Sequence, residues 1–183
     1  MSNFANILKT EGVNNTPGLK EIGYFALKSE IETFPVLPDS PGTPAEEVTL
    51  SGTFVMTAEK YFKKLFSTEG NAKVEGESQG EMDNETYLQK AHWVHPGTKA
   101  EALAYCKLAK LYDCVFIFVE RDGERRVVGN TSWRTKVKAA DSTGDENTSK
   151  KGITIEVETT DVGPAPLYNG AIPLDPTPVP AIS

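Results

Sequence analysis

The chain has 183 residues, a formal net charge of -7 and a sequence pI near 5.0. That balance excludes a general nucleic-acid binder and a binder of anionic membranes, both of which need a basic face. A hydrophobic fraction of 38% suits one domain with extended arms, and no apolar run approaches the ~18 residues of a membrane-spanning helix.

Residues 1–17 follow neither the helical nor the strand period. Asn3, Asn6, Asn14 and Asn15 make the segment polar, and Phe4, Ile7, Leu8 and Val13 are scattered anchors. It reads as an arm that a partner orders. It lacks the charged and apolar regions of a signal peptide, so a cytoplasmic origin is expected. Two cysteines, Cys106 and Cys114, suit that compartment as reduced thiols.

Residues 21–27 read as the first strand, and the Ser29 to Glu32 spacing of a capping box predicts a short helical turn. Pro35, Pro38, Pro41 and Pro44 then exclude a helix or central strand over residues 34–46, leaving a stiff, extended loop. Glu47 to Met56 alternates around Ser51-Gly52 and predicts a strand. Tyr61 to Phe66 is aromatic enough to favour a strand over a helix. Lys73 to Glu81 puts Glu75, Glu77, Gln79 and Glu81 on one face and Val74, Gly76, Ser78 and Gly80 on the other. Asp83-Asn84 turns the chain, and Thr86 to His95 returns with Tyr87, Gln89, Ala91, Trp93 and His95 on one side. Neither face of this hairpin is wholly apolar, which leaves one side for solvent or a partner.

Pro96-Gly97 breaks the strand. Thr98, with Glu101 three residues on, predicts a helix over 98–112 whose inward face is Ala100, Leu103, Ala104, Leu108 and Leu111. Cys114 to Val119 is β-branched and aromatic and should be a buried strand, joined through Asp122-Gly123 to a hairpin partner ending near Asn130. Thr131 to Trp133 reads as a continuation of that partner. Residues 134–151 are a charged excursion too long for a hairpin turn, either functional or disordered. Gly152 to Thr159 is a clean alternating strand. Beyond Gly163 the prolines recur, with Tyr168 and Ile172 as anchors of an extended tail.

Chemistry is sparse. His92 and His95 point to opposite faces of a strand and cannot easily share a metal. Neither cysteine has an activating neighbour in the sequence, and there is no phosphate loop, nucleophile elbow or zinc-helix motif. Asp141, Asp145 and Glu146 do not match a calcium loop. Glu75, Glu77 and Glu81 read as a solvated face rather than an acid–base pair. The sequence thus points away from an enzyme and implies no cofactor and no metal.

The order of several motifs carries a resemblance: Gly23-Tyr24-Phe25-Ala26-Leu27 after an arm, Leu50-Ser51-Gly52-Thr53-Phe54, Glu77-Ser78-Gln79-Gly80-Glu81, His95-Pro96-Gly97-Thr98-Lys99-Ala100-Glu101-Ala102, Asp122-Gly123 with Arg126-Val127-Val128-Gly129-Asn130, and Tyr168-Asn169-Gly170. Over roughly residues 18–173 the chain resembles the major tail tube proteins of long-tailed bacteriophages, similar to those of phages infecting Bacteroidetes, a fold shared with the inner tube of type VI secretion systems. The resemblance implies a mainly β (α+β) fold, a β-sandwich flanked by one helix. It implies a homo-oligomer of stacked, hexameric rings in the virion tail, assembled in the host cytoplasm. Its partners would be other tail proteins, such as the tape measure and tail terminator, and genomic DNA passing without specific binding.

The expected division is an arm (1–17), one sandwich domain (18–173, with the loop 34–46 and the excursion 134–151) and a Pro-rich tail (174–183). Glu75, Glu77, Gln79 and Glu81 are expected to face an acidic lumen that repels phosphate. Phe4, Ile7, Val36, Leu37, Arg134, Lys136 and Lys138 are expected between subunits or rings. The alternatives are a tail terminator or tail-completion ring protein, and a non-viral β-sandwich binding glycan or peptide on Trp93, Trp133 and Tyr87.

Overall fold

The computed structural model describes residues 4–8, 11–14, 16–145 and 151–176. The fold is mainly β with one helix. The strands are β1 (Ile22–Leu27), β2 (Ile31–Thr33), β3 (Thr49–Leu50), β4 (Val55–Met56), β5 (Lys63–Phe66), β6 (Lys73–Gln79), β7 (Thr86–Pro96), β8 (Cys114–Val119), β9 (Arg125–Val128), β10 (Lys136–Ser142), β11 (Gly152–Asp161) and β12 (Leu167–Tyr168). The helix α1 spans Ala100–Ala109, and a single 3-10 turn occupies Lys28–Glu30. A six-stranded sheet, in the order β3-β12-β9-β8-β1-β5, faces a four-stranded sheet, β10-β11-β7-β6; β2 and β4 pair separately.

The β8 segment is the most apolar in the chain, so it takes the place where both faces are covered. Phe116 and Phe118 point toward the four-stranded sheet and meet Trp93, Ile153, Ile155 and Val157 in the main core. Phe118 lies 5.2 Å from Trp93 between ring centroids. Gly23 on β1 makes room for both rings: a Cβ there would sit 3.1 Å from Trp93 Cη2 and 3.2 Å from Phe118 Cδ1. Val115 and Ile117 point the other way, into a second cluster with Phe54, Phe62 and Tyr168. The Asp122-Gly123 turn closes the β8–β9 hairpin as expected, with the Glu120 N–H donating to the Glu124 carbonyl at 2.7 Å.

The second cluster explains the proline-rich segment. Pro35 is buried. Phe34 packs edge-on against Phe54 at 4.9 Å, and Val36 and Ser51 exchange both backbone hydrogen bonds. The segment is thus an irregular cover for the outer side of the six-stranded sheet. The single strand expected over Glu47 to Met56 is instead two short ones, β3 and β4, in different sheets. Gly52, at φ +90°, breaks it, a conformation that non-glycine residues seldom adopt. The C-terminal segment completes the cover: Tyr168 is buried, donates to the Ala171 carbonyl at 2.7 Å and accepts from the Phe54 N–H. Most of the expected tail lies outside the described residues.

Four further expectations are corrected, two here and two on the helix. Thr131 to Trp133 does not extend β9, because the Asn130 side-chain oxygen accepts from the N–H groups of Ser132 and Trp133 and turns the chain. The described part of the excursion contains a strand: residues 136–142 form β10, seven register pairs long against β11. Asp113 anchors its start by accepting from the Thr135 N–H at 2.9 Å while pairing with Lys28. Glu146, in the rejected calcium-loop pattern, lies outside the described residues.

The helix presents the other face. Ala102 and Ala109 are buried and Tyr105 and Cys106 pack with them on the main core, whereas Leu103, Leu108 and Leu111 are 42%, 46% and 60% exposed. Small alanines let α1 lie close over β10 and β11, and Tyr105 fills the remaining wedge by meeting Phe25 edge-on at 5.1 Å. Nor does Thr98 cap the helix. Lys99 occupies the N-cap position and makes no side-chain capping bond.

Candidate functional site

The chemistry-bearing surface of the fold is the outer face of the four-stranded sheet. Strand alternation puts Val74, Ala91, Val157 and Val137 in one inward row. The neighbouring residues therefore point outward. On β6 these are Lys73, Glu75, Glu77 and Gln79, so three of the four residues expected to share a face do so. Glu81 lies beyond the strand end, in the turn before β7.

Register then supplies what one hairpin cannot show. Glu75 stands opposite Lys90, and Lys90 opposite Glu158, which stands opposite Lys136. In the adjacent row Lys73, His92, Glu156 and Lys138 face one another in turn. Four lysines and four glutamates thus share the face, and it is charge-balanced where the β6 row alone is acidic. Lys90 bonds Glu77, Lys73 bonds Glu75 at 2.9 Å and Lys138 reaches Glu158 at 3.4 Å. The Lys90 ammonium is held above its ordinary pKa, foremost by the hydrogen bond to Glu77 and then by the charges of Glu77, Glu158 and Glu75. These pairs are open to water, where each contributes little to stability.

The two borders of this sheet matter as much as its face. β6 pairs only with β7 and β10 only with β11, so among the described residues each seven-residue edge strand has a second side with no strand against it. Long unpaired edges are templates for further pairing. Beside β6 the sandwich opens into a cleft of about 350 Å³, walled by Thr16, Gly18 and Leu19 on one side and Val74, Gly76 and Tyr87 on the other.

The remaining sequence-picked residues are scattered. Phe4 and Ile7 are fully exposed on the arm and Val36 is 62% exposed on the cover, while Leu37 is half-buried beside it. Arg134 is exposed just before β10, and Lys136 and Lys138 stand on its outer face. The three aromatics of the binding-module alternative do not form a platform, since Trp93 is sealed in the core and Tyr87 folds over Gly76, its hydroxyl donating to the Gly76 carbonyl. The features that sequence reasoning missed are β10 as an edge strand and the lysines it brings to the face. The alternation of Thr135, Val137 and Ala139 with Lys136 and Lys138 was the available signal.

His92 lies on the outer face. His95 points inward, with Nδ1 2.9 Å from the Phe66 carbonyl. Cys114 is buried and its thiol is pushed up to about 11, mainly by burial; Cys106 is raised as well, for the same leading cause. Among the described residues no group of three metal-ligating side chains comes together, and no helix is long and apolar enough to cross a membrane. Comparison with known protein families, with curated proteins and with solved structures finds no match.

Proposed function

We propose that the chain is a structural subunit that assembles edge to edge into closed rings, and that these rings stack into a tube, as in the tail of a long-tailed bacteriophage. The observation that carries this reading is the four-stranded sheet with a long open strand at each border. A monomer with two such edges invites uncontrolled association. Pairing β6 of one copy with β10 of the next satisfies both edges of every copy once the ring closes, and a rotation that closes is what separates a ring from a fibre. The sheet face would then line a continuous wall.

The wall on this face would be mixed in charge. Three of its four lysines, Lys73, Lys90 and Lys138, are held by carboxylates, so a passing DNA phosphate must compete with an existing partner for them. Such a wall neither repels nor retains DNA strongly, which suits passage without specific binding. In this reading the protein resides in the virion and its other partners are tail proteins that cap or fill the tube. A tail terminator or completion ring uses the same edge pairing without stacking, and the length of the assembly separates the two.

Negative-stain microscopy with sedimentation of the purified chain tests the reading. Rings or tubes are expected, with tubes distinguishing the tail tube from a single capping ring. A chain that remains monomeric across the accessible concentration range would refute edge-to-edge assembly.

A further inference from the structure

Two apolar surfaces on this chain are left open, and they lie on opposite borders of the four-stranded sheet. The first is the outward face of α1. Leu103, Leu108, Leu111 and Tyr112 are 42%, 46%, 60% and 47% exposed. At 100° per residue Leu103, Ala104 and Leu108 fall on the side of the helix away from the buried Ala102 and Ala109, and Leu111 and Tyr112 follow in the turn just past its last residue. Lys107 shares this side, so the side is mixed, but large apolar side chains left in water beside one another suit a surface that a neighbour covers. Because α1 packs on β10 and β11, the stripe belongs to the β10 border.

The second surface is the arm. Ile7, Leu8 and Val13 are 100%, 79% and 57% exposed. The arm is rooted on the other border. Leu19 bridges to Glu120, and Thr16, Gly18 and Leu19 form one wall of the cleft whose other wall is β6. In the isolated chain arm and stripe are both open to solvent, so neither covers the other.

We propose that the leucine stripe of α1 is the dock for the N-terminal arm of a neighbouring copy, with Ile7 and Leu8 seated between Leu103, Leu108 and Leu111. The proposal rests on the edge-to-edge assembly proposed above and names a contact that assembly would make. When β6 of one copy abuts β10 of the next, the root of the first copy's arm comes beside the border that carries the second copy's helix. The span is modest. One strand spacing is about 4.8 Å and one packed layer about 10 Å. The eleven residues from Leu8 to Leu19 reach about 36 Å when extended. The contact is directional, arm to helix, and repeats around a ring without leaving either surface bare. It also accounts for a helix whose larger apolar side chains face away from their own core.

The test uses full-length chain with Cys106 replaced by alanine, so that buried Cys114 is the one native thiol left. One preparation carries Leu8→Cys and a second carries Leu111→Cys. The two are mixed under assembling conditions and oxidised with glutathione disulfide. Peptide mass mapping is expected to find the Leu8–Leu111 position pair joined between copies in the sedimenting fraction. A second variant, Leu103→Glu with Leu111→Glu, is expected to raise the concentration needed for assembly by about tenfold or more while leaving the urea unfolding midpoint of the monomer in place. Oligomers that form without the mixed disulfide, or a double-glutamate variant that assembles like the parent, would overturn the docking and leave edge pairing standing. A parent chain that never leaves the monomer would overturn both.

Discussion

Replacing Gly23 with alanine probes the centre of the fold with one methyl group. The added Cβ would meet Trp93 Cη2 at 3.1 Å, Phe118 Cδ1 at 3.2 Å and the Ile117 carbonyl oxygen at 3.4 Å. Both rings are fully buried, so neither can swing into solvent to make way. Overpacking of this kind costs about 1–3 kcal/mol. Against it, alanine in an extended backbone reduces the freedom of the unfolded chain and returns about 0.4–1 kcal/mol. From the middles of those ranges the expected net loss is about 1.3 kcal/mol, which at about 2–4 °C per kcal/mol lowers Tm by about 3–5 °C. Urea unfolding of monomeric protein, followed by tryptophan fluorescence, reads the change because Trp93 is buried and Trp133 is partly exposed. Phe118→Leu removes one of the opposing rings, so combining it with Gly23→Ala should cost less than the sum of the two, by about 0.5 kcal/mol or more. A Gly23→Ala chain as stable as the parent, or strictly additive losses in the double variant, would show that the β1–Trp93–Phe118 contact is not as tight as described.

Leu108→Ala in the monomer should cost less than about 1 kcal/mol, well under the 2–5 kcal/mol of a buried leucine, and a larger loss in thermal unfolding would return this side chain to the core. Cys114 should resist alkylation at pH 8 in the native protein while half-buried Cys106 reacts, with peptide mapping as the readout; comparable labelling of both would contradict the sealing of β8. The Cys114 thiol is raised from 9.0 to about 11 by folding, so its contribution to stability is complete below about pH 9 and is lost as pH climbs toward 11. Cys114→Ala should therefore lose less stability across that window than the parent; identical pH profiles would argue against it. In the proposed assembly, changing Glu75 and Glu77 together to lysine should leave the monomer folded and make DNA retention steeply salt-dependent, and a flat salt response would remove this face from the path of DNA.

The strands whose periodicity is strong were legible from sequence. Cys114 to Val119 has no polar residue to face solvent, and Gly152 to Thr159 alternates without a fault, so each has one reasonable place. The helix was legible as a helix but not in orientation. Hydrophobicity assigned the leucines inward, while close packing against β10 and β11 selected the alanines, which is a property of the partner surface. β10 was hidden because its inward side chains, Val137 and Ala139, are few and small beneath that helix, and the Ser, Thr and Asp around them resemble a loop. The charge balance of the outer face was beyond reach in principle. It depends on the register of four segments drawn from both halves of the chain, and no window along the sequence holds them together.

The second core has a bearing on when this protein becomes able to act. Tyr168 closes it, β12 joins β3 to β9, and the carbonyl of Pro173 accepts the Phe62 N–H. A nascent chain therefore carries its six-stranded sheet unfinished until residues 167–173 have left the ribosome. Truncated products would keep Phe54 and Phe62 uncovered and be recognised as unfolded. Closing the second core thus waits on a segment far along the chain from Phe54 and Phe62, and loss of residues 167–173 would leave both rings without their cover.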